Sequence, residues 1–163
     1  MAWEARGEQL SSGGDDGTVK LWEAATGKLL RSLEGHERRV WSVAWEARGE
    51  RLASGGDDGR ISIFDPAADS ARPLGVLYHL GKGLASSGDG RYWSGDPETL
   101  ELVRFVDGWA LYGLEDFPDR LSPERVAEAL AGAASPARGS ASVDPPPRRP
   151  APRRRRGSAR RHR

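Results

Sequence analysis

Short segments of alternating apolar and polar residues follow one another through the first half of the chain. Val40 to Trp45 is an apolar run, Arg51 to Ser54 returns after a glycine-containing turn, and Arg60 to Phe64 follows Asp57-Asp58-Gly59. Aspartate and glycine tolerate the positive φ angles of tight hairpin turns. Because alternation gives a strand one buried face, the pattern predicts short antiparallel strands. Two further strands are predicted at Leu29 to Leu33 and Leu74 to Tyr78.

These strands belong to an internal repeat with an offset of 42 residues. Ala2–Glu8 recurs unchanged as Ala44–Glu50, and Ser12–Gly17 recurs as Ser54–Gly59. Self-similarity at a fixed period of this size is typical of repeat architectures. With four short strands in each unit, each copy describes one blade of a β-propeller.

Three motifs inside the repeat resemble those of the WD-repeat family. Gly35-His36 precedes the second copy, Leu52–Gly59 carries the Asp-Gly turn, and Leu21-Trp22-Glu23 lies in the first copy. The resemblance covers roughly residues 2–79 and implies an all-β fold, a partial WD-type β-propeller of two four-stranded blades. The chain departs from the family where Glu46–Gly49 replaces the usual Ser-Pro-Asp-Gly, and where Phe64 replaces a tryptophan.

The same resemblance implies a structural network in each blade, a hydrogen-bonded tetrad of His, Ser or Thr, Asp and Trp. Neither copy has all four residue types. Because phenylalanine has no ring N–H, the second copy loses one hydrogen bond, worth about 0.5–1.5 kcal/mol. The second copy offers His36, Ser54 and Asp58 with Phe64 in the tryptophan position, and the first offers Ser12, Asp16 and Trp22 without a histidine.

The types of His36, Ser54 and Asp58 also match a nucleophilic triad. Such a triad needs an accessible hydroxyl beside an oxyanion hole, and the spacing of the three residues does not establish that geometry. The chain has no cysteine, and the histidines at 36, 79 and 162 show no metal-ligand or catalytic spacing. We therefore predict a structural role for the three residues and a protein without catalytic activity, cofactor or metal site.

Three residues of the second copy occupy positions that are exposed in the family. They are Arg39, Trp41 and Asp57. A large aromatic beside an arginine, with an acid nearby, is typical of residues that dominate protein interfaces. The resemblance thus indicates a protein–protein interaction scaffold that binds protein partners at these positions. In the alternative interpretation, Trp41 packs against a neighbouring blade.

Residues 80–132 do not continue the repeat. We interpret Gly81 to Gly90 as a loop, and we predict strands at Leu100 to Val106 and Trp109 to Tyr112, joined across Asp107-Gly108. Ser122 is the predicted N-cap of a helix from Pro123 to Ala131. This strand and helix segment resembles the end of long bacterial WD-repeat chains, which makes the chain a candidate C-terminal fragment of a larger bacterial protein.

Residues 133–163 form a basic tail that the overall charge of +1 conceals. Residues 1–132 carry 15 Lys and Arg against 23 Asp and Glu, whereas the tail carries 10 against one. Its composition of Ala, Pro, Ser, Gly and Arg predicts disorder. The run Arg153, Arg154, Arg155 and Arg156 suggests weak non-specific contact with nucleic-acid phosphates. The other interpretation is a solvated extension produced by a change of reading frame.

The expected division is two WD-type blades over residues 1–79, a non-repeat segment over 80–132 and the tail over 133–163. No signal peptide or membrane-spanning run is present, so we expect a cytoplasmic protein. Two blades cannot close a propeller, which needs about four to eight. The sequence therefore leaves three hypotheses open: an interaction scaffold for protein partners, a nucleic-acid-associated protein, and a truncated product without stand-alone function. Repeats this similar can join between chains, three or four copies giving a ring of plausible size, whereas the truncated first strand and the bulky C-terminal segment argue against such a ring.

Overall fold

The first repeat copy folds as one four-stranded antiparallel sheet. The computed structural model describes residues 1–80, 82–107 and 110–132. Each strand of this first blade pairs with the next one along the chain. The strands are β1 (Ala2–Trp3), β2 (Gln9–Gly13), β3 (Val19–Glu23) and β4 (Leu29–Leu33).

The second repeat copy forms the second blade, and its sheet continues into the next segment. Six strands lie in chain order across this sheet. The first four belong to the repeat and the last two follow it. They are β5 (Val40–Trp45), β6 (Leu52–Gly56), β7 (Arg60–Phe64), β8 (Gly75–Tyr78), β9 (Leu84–Ser87) and β10 (Trp93–Gly95).

The interpretation of Gly81 to Gly90 as a loop was wrong over β9. This strand pairs with β8, with Val76 opposite Ser86. Leu84 and Ser86 are both buried, while Ala85 between them is partly exposed. The alternation of a strand is therefore present, but Ala85, Ser86 and Ser87 are small residues, and serine is also common in loops.

A shared apolar core joins the two blades. Val19 and Leu33 of the first blade pack with Leu52 and Phe64 of the second, and all four are at most 1% exposed. The blades approach closely, because a Cβ atom added to Gly17 would lie 2.7 Å from the carbonyl oxygen of His36. Gly17 also has a φ of +77°, so the turn requires glycine there for two reasons.

The segment after β10 contains two short helices and a hairpin. The helix α1 (Pro97–Leu100) begins at Asp96, whose carboxylate accepts a hydrogen bond from the Thr99 amide at 3.1 Å. The predicted strand therefore begins only at Arg104 rather than at Leu100. The predicted hairpin turn includes Gly108, which lies outside the described residues. The remaining elements are β11 (Arg104–Asp107), β12 (Ala110–Gly113), 3₁₀ turns at 114–116 and 118–120, and α2 (Pro123–Leu130).

The helix α2 packs on the second blade. Ser122 caps it by accepting from the Arg125 amide at 3.4 Å. At its other end, the Arg51 guanidinium donates to the carbonyl oxygens of Leu130 at 3.0 Å and Ala131 at 3.2 Å. Since Arg51 precedes β6, this contact ties the C-terminal segment to the second blade. Among the described helices, none is long and apolar enough to cross a membrane.

Candidate protein-interaction site

A buried histidine connects the loop before β5 to the strand and turn that follow it. His36 Nδ1 lies 3.0 Å from both carboxylate oxygens of Asp58, and His36 Nε2 lies 2.7 Å from Ser54 Oγ. A carboxylate only accepts hydrogen bonds, so Nδ1 carries the proton and Nε2 accepts from the Ser54 hydroxyl. The side chains of His36 and Asp58 are 0% and 4% exposed.

Asp58 also organises the hairpin turn between β6 and β7. Its carboxylate accepts from the backbone amides of Glu37 at 3.0 Å and Arg60 at 3.1 Å. Burial raises the pKa of Asp58, but the hydrogen bonds from His36, Glu37 and Arg60 together outweigh burial and hold this pKa below its ordinary value. The ionised form of Asp58 is therefore the form that the folded protein favours.

The first blade contains the part of the network that the second blade lacks. Trp22 Nε1 donates to Ser12 Oγ at 2.9 Å, whereas Phe64 in the equivalent position is buried without a donor. Asp16 bonds instead to Thr18 and Lys20, and the hydrogen bonds from Thr18 in particular lower its pKa to about 2. The structure thus brings Ser12 to Trp22, and His36 to Ser54 and Asp58, but it places Asp16 in a separate turn.

Trp41 is lifted out of the sheet by a β-bulge. Val40 pairs with Gly56 and Ser42 pairs with the next residue, Gly55, so Trp41 has no partner on β6. A bulge re-aims the side chain of the extra residue. The Trp41 side chain is 63% exposed, so its ring faces solvent rather than packing against the first blade.

Polar neighbours fix the Trp41 ring in this position. Trp41 Nε1 donates to Asp57 Oδ1, and the Arg39 guanidinium carbon lies 4.9 Å from the ring centroid. Arg39 Nη2 is 2.6 Å from Asp15 Oδ2, so the cluster reaches the first blade. Arg39, Trp41 and Asp57 therefore lie together.

Asp15 is a member of this cluster that sequence reasoning missed. It precedes Asp16 as Asp57 precedes Asp58, so the 42-residue offset marks the two positions as equivalent. The repeat was thus a sufficient signal to include Asp15 once Asp57 had been singled out. The side chain of Asp15 is 75% exposed.

The two other kinds of site to consider are a metal site and a nucleic-acid site. Within the part of the chain that the structure describes, no group of three or more His, Asp or Glu residues is placed to hold a metal ion. The candidate nucleic-acid residues Arg153, Arg154, Arg155 and Arg156 lie outside the described residues.

Comparison with known proteins finds matches over short segments of the chain. The chain is 53% identical over 36 residues to F-box/WD repeat-containing protein 7 of Drosophila melanogaster, covering 22% of this chain and 3% of that protein. It is 43% identical over 44 residues to the B-type cell cycle switch protein ccs52A of Medicago truncatula, covering 27% and 9%. The chain therefore spans less than a tenth of the length of either relative.

A similar solved structure is the crystal structure of RRP9 WD40 repeats. It has a TM-score of 0.46 and 20% sequence identity, and the likeness covers 57% of this chain and 31% of that chain. The family described as "WD domain, G-beta repeat" matches residues 1–23 and 27–65. These residues coincide with the strands of the two blades up to the end of β7. The matched segments lie in the two four-stranded blades, so the chain contains a partial β-propeller of two blades that are similar to WD repeats.

Proposed function

We propose that this chain is a non-catalytic protein-interaction module whose WD repeats present a binding surface centred on Trp41. One observation carries the proposal: a large aromatic ring is 63% exposed, yet a hydrogen bond and a cation–π contact hold it in place. The partner is a protein that sets an apolar side chain against the ring and polar groups against its charged rim.

The rigidity of the ring favours binding. A side chain that is already ordered loses little conformational entropy on association, whereas ordering a free side chain costs about 0.5–1.5 kcal/mol. Arg39 and Asp57 flank the ring with opposite charges, and Asp15 forms an ion pair with Arg39. Tryptophan and arginine are enriched among residues that contribute most to interfaces. The cluster therefore offers an apolar centre and a charged rim.

Burial of Ser54 supports a structural role for the histidine network. Ser54 is 2% exposed and pairs with Ser62 in the middle of the sheet. A serine nucleophile has to reach a substrate carbonyl, with oxyanion donors at hydrogen-bond distance from the developing charge. The Ser54 hydroxyl instead lies against His36, whose side chain is fully buried. The three residues are arranged to hold the loop, strand and turn together.

Trp41→Ala tests the proposed surface. Peptides selected from a displayed random library on the wild-type chain should bind Trp41→Ala about tenfold more weakly, a loss of about 1.4 kcal/mol. Because the ring is exposed, thermal stability should stay within about 0.5 kcal/mol of wild type. Titration calorimetry and thermal melting measure the two effects.

Leu102→Ala is the matched control, since Leu102 is 59% exposed and lies in the turn after α1, outside the Trp41 cluster. It should leave affinity for the selected peptides unchanged. Peptides that bind Trp41→Ala as tightly as wild type would contradict the proposed surface.

We infer a second, weaker activity from the nine arginines between residues 148 and 163. Duplex DNA of mixed sequence should bind through this tail, and deletion of residues 133–163 should abolish binding without altering the melting curve. If about two phosphates are neutralised, affinity should fall roughly tenfold between about 50 and 200 mM salt, because counterions are released. Fluorescence anisotropy measures the affinity.

Charge-preserving and charge-removing variants provide the control for the tail. Changing the four arginines at 153–156 to lysine should retain binding, and changing them to glutamine should weaken it. Salt-insensitive binding that survives the deletion refutes the tail as its cause.

A further inference from the structure

The contact between the two blades is built from two different faces. The first blade contributes the face that we name the leading face, and the second contributes its trailing face. Both faces are apolar and largely buried in this contact. The leading face of the first blade consists of Ser11, Val19, Leu21 and Leu33, and the trailing face of the second of Val43, Trp45, Leu52 and Phe64.

The second blade has a leading face of its own, and the described residues leave Ile61 on this face exposed. Ile61 and Ile63 lie 42 residues after Val19 and Leu21, and Ile61 pairs with Leu77 as Val19 pairs with Leu33. Val19 is fully buried, whereas Ile61 is 43% exposed. Ala53, Ile63 and Leu77 line a groove of about 400 Å³ on this face.

The trailing face of the first blade is also exposed among the residues that the structure describes. Its members lie 42 residues before those of the second blade. Trp3 is 62% exposed, whereas the equivalent Trp45 packs against the shared core of the two blades. The full set is Met1, Trp3, Leu10 and Trp22, equivalent to Val43, Trp45, Leu52 and Phe64.

The helix α2 covers part of the leading face of the second blade and leaves another part of it exposed. Leu130 lies over Gly75, where an added Cβ atom would be 2.6 Å from Leu130 Cδ2, and Leu130 forms one wall of the groove. The helix contacts β8, β9 and β10, the outer strands of the sheet. The inner strands β1, β2 and β5 make the contact between the two blades, and β5 is free on its other side at Ala44.

We propose that the chain self-associates head to tail, with the trailing face of one copy docked on the leading face of the second blade of another. The occupant of the groove is thus a second copy of this chain. Residues of equivalent position and similar apolar character already make this contact within the chain, so the association continues an existing interface. It differs from the Trp41 surface, because Trp41 lies on neither face.

Head-to-tail contacts between unlike faces extend until they close into a ring. Each copy adds two blades turned in the same sense. Propellers close with about four to eight blades, so a ring of roughly three or four copies lies within that range. Exposed apolar surface of this kind gains about 25 cal/mol per Å² when it is covered.

Two single variants test the proposal because each blocks a different face. Ile61→Glu places a charge on the leading face and Trp3→Glu on the trailing face, and both positions are exposed in the single chain. Sedimentation velocity should show the wild type at roughly three or four times 17.7 kDa and each variant as a monomer. Leu102→Glu, at a 59% exposed residue on neither face, should assemble as wild type does.

Mixing the two variants gives the decisive result. One copy then retains a trailing face and the other a leading face, so the mixture should form a one-to-one dimer that cannot extend. A monomeric wild type would overturn the proposal, as would a Trp3→Glu variant that still pairs, or a mixture of folded variants that stays monomeric. If a glutamate variant melts below wild type, Ile61→Ser and Trp3→Ser replace the pair, with the same expected outcomes.

Discussion

Replacing Phe64 with alanine should lower the free energy of unfolding by about 3–5 kcal/mol, the range for removing a buried aromatic side chain. Phe64 is 1% exposed and belongs to the core that both blades share. Its loss leaves a cavity between Leu52, which pairs with it across the sheet, and the first blade. Urea denaturation measures the loss at one low protein concentration, so that self-association does not alter the apparent stability.

Trp41→Ala is the control for Phe64→Ala, because it removes a larger ring from an exposed position of the same blade. Its expected effect on stability is within about 0.5 kcal/mol. Phe64→Leu should fall between the two, since leucine fills part of the cavity. Equal losses for Phe64→Ala and Trp41→Ala would show that Phe64 does not contribute to the core as its burial indicates.

The repeat predicted most of the two blades because the same pattern occurs twice. Strands at Leu29–Leu33, Val40–Trp45 and Arg60–Phe64 coincide with the predicted bounds. In these segments apolar residues at alternate positions, with Asp-Gly turns between them, fix both the period and the ends of the strands. The strands were therefore readable from local pattern, whereas the propeller arrangement followed from the repeat and from the resemblance to WD repeats.

The sequence was less informative about elements whose secondary structure depends on contacts with the rest of the fold. The strand β9 depends on the edge that β8 offers, and its Ser-rich composition is equally typical of a loop. The short helix α1 depends on the cap at Asp96, and it includes Leu100, where the sequence predicted the start of a strand. In both cases the missing information is a neighbouring hydrogen-bond partner.

The candidate site shows the same division. The resemblance to WD repeats identified His36, Ser54 and Asp58 by residue type, but only the fold places the imidazole between the hydroxyl and the carboxylate. Alternation assigned Trp41 to one side of β5, whereas its exposure depends on the bulge. A bulge is a difference in register between two paired strands, so the sequence of one strand alone does not predict it.

Asp58→Ala should lower the free energy of unfolding by about 1–3 kcal/mol, because it leaves the buried His36 ring without its acceptor. The expected loss depends on pH. The folded protein holds the pKa of Asp58 below 3.8, so its stabilising contribution is present above the unfolded pKa and is lost as pH falls through the folded pKa. The difference between wild type and Asp58→Ala should therefore shrink as pH falls below about 4.

Urea denaturation at several pH values between neutral and acid measures this difference, and His36→Ala should show a loss of similar size at neutral pH. Asp16→Ala is the matched control, since Asp16 occupies the equivalent turn of the first blade, its side chain is 52% exposed, and it bonds only to neighbours in sequence. We expect it to cost less than Asp58→Ala. A hydrolytic activity that disappears in His36→Ala while stability is unchanged would instead assign chemistry to this network.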